Sequence, residues 1–264
     1  MNSELVSYIS STFMSMMMCI VRLAATLSLL PSFSKQFVVG MGRGVIIFGM
    51  ALPLYYLVYP TLPKAEHLPL WVFIATICKE AVIGMLLGFL GGFIFFVADS
   101  VGFIIDIQRG SSMATTFDPV AGSQTSLLGS MLVQMLTVSF FMLGGFSFFI
   151  NLVYKTYVMW PVFGFYPKFD SNFSSFFLAL ADEMMEVIFC LAGPILIVLF
   201  LAEFGLGMIS RFAPQLNVFF LAMPIKSWLS MFFLLFYFSL LIKLFKYYFY
   251  SQGKLSSFIN KFFK

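Results

Sequence analysis

GFIIDIQRGSSMATTFDPVAGSQ, residues 102–124, is a polar, glycine-rich block with three charged residues, Asp106, Arg109 and Asp118, set between two of the most apolar stretches of the chain. Hydrocarbon offers no hydrogen bonds to exposed N–H and C=O groups. Irregular backbone beside it is therefore tolerated only where protein buries it or where it lines a watery cavity. The block marks a pathway, a site or a packed joint.

Outside it the composition sets the class. With 61% hydrophobic residues, 10% charged residues and 37 Phe, the chain is an integral membrane protein and not a soluble globular one. Runs of about 20 apolar residues, the length that crosses a bilayer, fall at 12–31, 41–60, 69–98, 126–150, 184–207 and 217–245. The expected fold is all-α: about six long hydrophobic helices and helical hairpins, with 1–264 a single membrane domain and 243–264 its basic, aromatic C-terminal tail. Pro53, Pro194 and Pro224 fall inside runs, where kinks are expected. No Lys or Arg precedes the first run and Arg22 interrupts it, so it reads as a retained helix and not as a cleavable signal.

Cys19, Cys78 and Cys190 lie singly in apolar runs, without the pairing of a disulfide framework or a zinc site. The one histidine, His67, sits in the proline-flanked linker LPKAEHLPL and cannot supply a catalytic zinc set. No metal and no cofactor is expected.

The tail carries Lys243, Lys246, Lys254, Lys261 and Lys264 among Phe and Tyr. Six spans put both ends on one side of the membrane, and the positive-inside rule makes that side cytoplasmic, although Lys35 and Arg43 in the first loop oppose the bias. Following a span, such a tail faces lipid headgroups or a cytoplasmic partner and not nucleic acid.

Arg22, Lys79, Glu80, Glu203 and Lys226 sit inside apolar runs, where an unpartnered charge costs about 2.5–3.5 kcal/mol on insertion scales. Lys79 and Glu80 are neighbours, roughly 100° apart on a helix and poorly placed to neutralise each other. Each calls for a partner on another helix or subunit. In KEAVIGMLLGFLGGF (79–93), Gly84, Gly88 and Gly92 form a stripe four residues apart that admits a second backbone closely. In ISRFAPQLNVFFLAMPIKS (209–227), Arg211, Pro214, Gln215 and Asn217 form a polar turn between two apolar runs, with Gln and Asn amides available as caps.

Three function classes are compatible with these features. A secondary transporter or ion channel subunit would use the buried charges, but no internal repeat with matching interrupted helices is visible. An intramembrane hydrolase would need Asp106 with Asp118, or Ser111 as nucleophile, and neither has a His base or a nucleophile elbow. The third class, a non-enzymatic export subunit, comes from a resemblance. The ordered pair IDIQRGSSMATTFDPVAGSQTSLLG (105–129) and SRFAPQLNVFFLAMPIK (210–226), with KEAVIGMLLGF from Lys79, resembles the FliR/SctT family, the T component of the type III secretion export apparatus. The IDIQRG form with Arg109 is more similar to the injectisome branch than to the flagellar branch.

The resemblance implies an all-α subunit present once in a helical export gate of the bacterial inner membrane, beside several R and S subunits. A U-family switch protein docks at its base, a V-family export protein belongs to the same apparatus, and unfolded secreted proteins pass through. The helices of that family do not all cross the bilayer, because they form hairpins in an assembly raised above the membrane plane, and Glu80 and Lys226 would then be buried between subunits. By position, the block from Asp106 to Gly122 corresponds to the family's pore plug. Gln108, Arg109, Gly110, Met113, Phe117, Asp118 and Pro119 belong to it, the glycines giving freedom, Pro119 a turn, Met113 and Phe117 an apolar obstruction, and the charges a latch to neighbouring chains.

Overall fold

The structure, a computed structural model, describes residues 2–33, 40–58, 70–111, 126–164, 173–213, 215 and 217–250. Among them every regular element is helical: α1 Asn2–Leu29, a 3₁₀ turn Pro31–Phe33, α2 Gly40–Val58, α3 Leu70–Arg109, α4 Leu127–Met142, α5 Gly145–Met159, α6 Phe173–Phe212 and α7 Val218–Tyr250. Long apolar runs take this form because a helix satisfies its backbone polar groups within one segment.

The described residues hold four helices long and apolar enough to cross a membrane, α1, α3, α6 and α7, or five spans if the bent pair α4–α5 counts as one. That is consistent with the six expected, but the boundaries differ in three places. First, α3 does not end near residue 98. It runs on to Arg109, so the first half of the polar block is helix and the chain leaves it only at Gly110. Second, the run at 126–150 is two helices, parted where Gly144 takes a left-handed φ of 73°, a conformation that costs glycine little. Third, α6 begins at Phe173, about three helical turns before the run at 184–207 predicted from hydropathy. Pro53, Pro194 and Pro224 all lie inside continuous helices.

The chain divides into two compact units. The first takes in the described residues of Met1–Phe93 and Phe140–Phe173. Its core is built from Met18, Leu23 and Leu27 of α1, Ala51 and Leu54 of α2, Ile83 and Leu87 of α3, and Phe149 and Val153 of α5. The glycine stripe sets the spacing. A Cβ at Gly84 would stand 2.5 Å from the Arg22 carbonyl oxygen, and one at Gly88 2.5 Å from that of Thr26. Both pairs advance four residues in the same sense, so α1 and α3 run parallel with backbones in direct contact. Gly92 is buried, and at Gly91 the Phe149 ring fills the space a side chain would need. Two tyrosine hydroxyls of α5 tie the bundle together, Tyr154 donating to the Met50 carbonyl at 2.9 Å and Tyr157 to that of Cys19 at 2.8 Å.

The second unit comprises Ile94–Ser139 and Ser174–Tyr250. Phe95, Val101 and Ile105 of α3, Leu128, Leu132 and Leu136 of α4, Ile195 and Leu199 of α6 and Leu234 of α7 make its core. Glycine again permits the closest approach: a side chain on Gly102 would collide with the backbone of Gly129.

Candidate functional site

Each unit holds one polar cluster. In the first, Arg22 of α1 is fully buried. Its Nε donates to Glu80 Oε2 of α3 at 2.5 Å, Nη1 to Thr156 Oγ1 at 3.3 Å and Nη2 to the Trp160 carbonyl at 3.2 Å. The guanidinium also lies 4.1 Å from the centroid of the Tyr157 ring, a cation–π contact strengthened by the burial of both side chains. Lys79 reaches the segment after α5, donating to the carbonyls of Val162 at 2.5 Å and Gly164 at 3.1 Å.

Lys79 Nζ also comes within 3.3 Å of Glu80 Oε1. Neighbouring positions diverge on a helix, but the four-carbon lysine stem is long enough to fold back. That oxygen has no aligned hydrogen bond, so the contact is one of charge only. The main partner of Glu80 is Arg22, on another helix as required, and it lies within this chain and not on a neighbouring subunit. Two cations and one carboxylate, with the Thr156 hydroxyl and three backbone carbonyls as further acceptors, make a structural knot. They do not form the ordered series of carboxylates that a proton relay needs.

The second cluster gathers at the C-terminal end of α3. Gly110, with φ 92°, closes the helix in a Schellman arrangement: Gly110 N–H donates to the Ile107 carbonyl at 3.0 Å and Ser111 N–H to that of Asp106 at 3.1 Å. The side chain of Asp106, 2% exposed, serves the next helix. Its Oδ2 accepts from Ser126 Oγ at 2.7 Å and from Leu128 N–H at 3.0 Å, while Ser126 Oγ accepts from Gly129 N–H at 2.7 Å. Ser126 is thus the N-cap of α4, and one residue, Asp106, binds both flanks of the 112–125 segment.

Arg109 Nε lies 2.8 Å from Asp106 Oδ1, yet neither atom has an aligned hydrogen bond; the contact neutralises charge without a directional bond. Where a latch to neighbouring chains was expected, Asp106 and Arg109 are paired within the chain. Lys226 of α7, also buried, donates to Glu203 Oε2 of α6 at 2.6 Å and to the Gln108 carbonyl at 3.3 Å. A cation is favoured there, since the last carbonyls of a helix lack partners within it. Lys226, like Glu80, finds its counter-charge inside the chain.

Arg211, Gln215 and Asn217 are exposed, and the Asn217 carbonyl accepts the first backbone bond of α7, from Leu221 N–H at 3.4 Å. Met113, Phe117, Asp118, Pro119, Gly122, Pro214, His67 and the tail from 251 onward lie outside the described residues. Among the described residues no group of three His, Cys, Asp or Glu side chains is placed to hold a metal ion. Sequence reasoning missed Thr156, Tyr157 and Trp160, the α5 side of the Arg22 knot, and Ser126. The run YKTYVMW (154–160) in an otherwise apolar helix was the available signal.

A family model described as bacterial export proteins, family 1, matches residues 13–251. The chain is 40% identical over 208 residues to Yop proteins translocation protein T of Yersinia pestis, covering 78% of each chain. It is 33% identical to surface presentation of antigens protein SpaR of Shigella flexneri, over 73% of this chain and 75% of the relative. Identity to the flagellar biosynthetic protein FliR of Bacillus subtilis is lower, 27% over 81% and 82% of the two chains, in keeping with the injectisome-like form of the motif around Arg109. The match of the family model across most of the chain, together with these relatives, establishes that the chain belongs to the bacterial export proteins, family 1.

Proposed function

We propose that the chain is a structural and gating subunit of the type III protein export channel in the bacterial inner membrane, conducting unfolded proteins and catalysing no reaction. The observation that carries this reading, beside the family, is helix length. α3 and α6 have 40 residues each, about 60 Å at 1.5 Å per residue, against a hydrocarbon layer of about 30 Å. Their apolar windows run for 39 residues. Surface of that kind extending past the lipid needs protein to cover it, which fits a subunit packed among R and S subunits in an assembly with U-family and V-family components.

Within this reading 1–264 acts as one export module, its basic tail lies in the cytoplasm against lipid headgroups or a partner, and Asp106 to Gly122 forms the plug of the resting channel. The caps that Asp106 supplies to both flanks support a segment held at its base. Deleting the gene from its host and restoring it on a plasmid tests the function. Secretion into the medium should stop and return, and R-type and S-type subunits should purify with the tagged chain. Unchanged secretion in the deletion strain, or a long-lived monomer without those subunits, overturns the reading.

A further inference from the structure

We infer that the face of α6 carrying Gly193, Phe200, Glu203 and Gly207 receives one apolar helix of a partner subunit, and that this helix brings a Lys or Arg side chain to Glu203. The inference rests on the export-apparatus reading and names a surface for it. Only 28% of the apolar length of α6 is buried within the chain. Gly193, Phe200 and Gly207 recur every seven residues, and Leu196 and Glu203 stand three positions after Gly193 and Phe200. That is the seam pattern of two helices packed along their length. Among the described residues, nothing beyond the helix's own adjacent backbone lies within 4 Å of where a Cβ would stand on Gly193 or Gly207, so both leave backbone open to close approach, which favours helix against helix.

The carboxylate identifies the occupant. Glu203 takes Lys226 on its inner side through Oε2 at 2.6 Å, and its side chain remains 55% exposed while that of Lys226 is 8% exposed. Acyl chains cannot solvate a half-open carboxylate on an apolar helix, and a membrane residue of this kind faces protein or water. Phe200 and Phe204 stack beside it with centroids 6.5 Å apart, making the surroundings apolar. A second copy of this chain packed in register would set Glu203 against Glu203. A different subunit offering a cation satisfies the charge.

The test uses the tagged full-length chain in its host membranes, reading R-type and S-type subunits recovered per chain. A Cβ at Gly193 or Gly207 meets nothing among the described residues, so Gly193→Trp and Gly207→Trp should accumulate as wild type while subunit recovery falls at least about tenfold. Recovery equal to wild type makes this a face open to water and not a subunit contact, and overturns the proposal. The double swap Glu203→Lys with Lys226→Glu keeps the internal pair but turns a cation towards the partner, and recovery should again fall; full recovery shows that Glu203 serves only Lys226. If the swap reduces accumulation, Glu203→Gln, which keeps an oxygen for Lys226, replaces it and is read in the same way. Failure of the wild-type chain to recover the subunits would sink the export reading itself, whereas recovery by wild type and variants alike sinks only this face.

Discussion

Arg22 carries five N–H donors into a site with no exposed surface, and its environment is built to receive them: a carboxylate, a hydroxyl, a carbonyl and an aromatic face. Each ion of a buried pair pays a desolvation cost that the partner offsets, so removing one side leaves an uncompensated charge and typically costs about 3–5 kcal/mol, whereas replacing both by apolar side chains is often close to neutral. Arg22→Met alone should therefore destabilise the purified protein by several kcal/mol, and Arg22→Met with Glu80→Met should recover more than half of the loss. Denaturant unfolding in a fixed detergent reads both. A double variant as damaged as the single one would mean that the bonds to Thr156 and Trp160, and not the charge pair, hold α5 in place.

At the scale of elements, α1 and α3 meet backbone to backbone because Gly84 and Gly88 offer no side chain to separate them. Gly84→Leu must displace the Arg22 carbonyl and with it the residue that anchors the ion pair, so the cost should reach or exceed the roughly 1–3 kcal/mol usual for overpacking. Val82→Leu, on the exposed side of the same helix, should be near neutral, and equal effects at the two positions would discount the packing argument. This stripe was legible in the sequence because a spacing of four is a property of one helix. The partner of Glu80 was not: the need for one comes from burial, but its identity depends on a contact across 58 residues. The end of α3 was misplaced for a different reason. IDIQR is polar enough to pass for a loop, yet Asp106 and Arg109 are i and i+3 on a helix and neutralise each other there. The break at Gly144 was equally hidden, since hydropathy does not register a left-handed residue inside an apolar run.

For the whole molecule, the decisive question is what a channel subunit does when no substrate is present. α3 ends and α4 begins on the same residue, Asp106, whose carboxylate accepts from Ser126 Oγ and Leu128 N–H at the start of α4 while its backbone carbonyl accepts from Ser111 N–H at the end of α3. Both flanks of the connecting segment are thereby fixed on rigid helices. A segment so anchored suits a seal, because a narrow wet passage closes when apolar side chains exclude water from it. Met113 and Phe117 are the large apolar residues between Gly110 and Gly122. If Met113 and Phe117 seal the channel as proposed, replacing both by Gly removes the excluding surface while leaving the Asp106 caps intact, so the complex with the proposed R and S subunits should still form but conduct ions at rest. Planar-bilayer conductance, and in cells an increased sensitivity to compounds normally kept out, are the readouts, with Lys261→Ala on the tail as the variant that should not leak. Asp106→Ala attacks the same device from its base. It removes the acceptor for Ser126 and Leu128, should cost about 0.5–2 kcal/mol of capping energy, and should leak less than the double glycine variant, since the side chains proposed to seal are still present. Assembled complexes that lack both Met113 and Phe117 and still show wild-type resting conductance would make the segment a structural joint between α3 and α4, and the seal would then have to come from another chain.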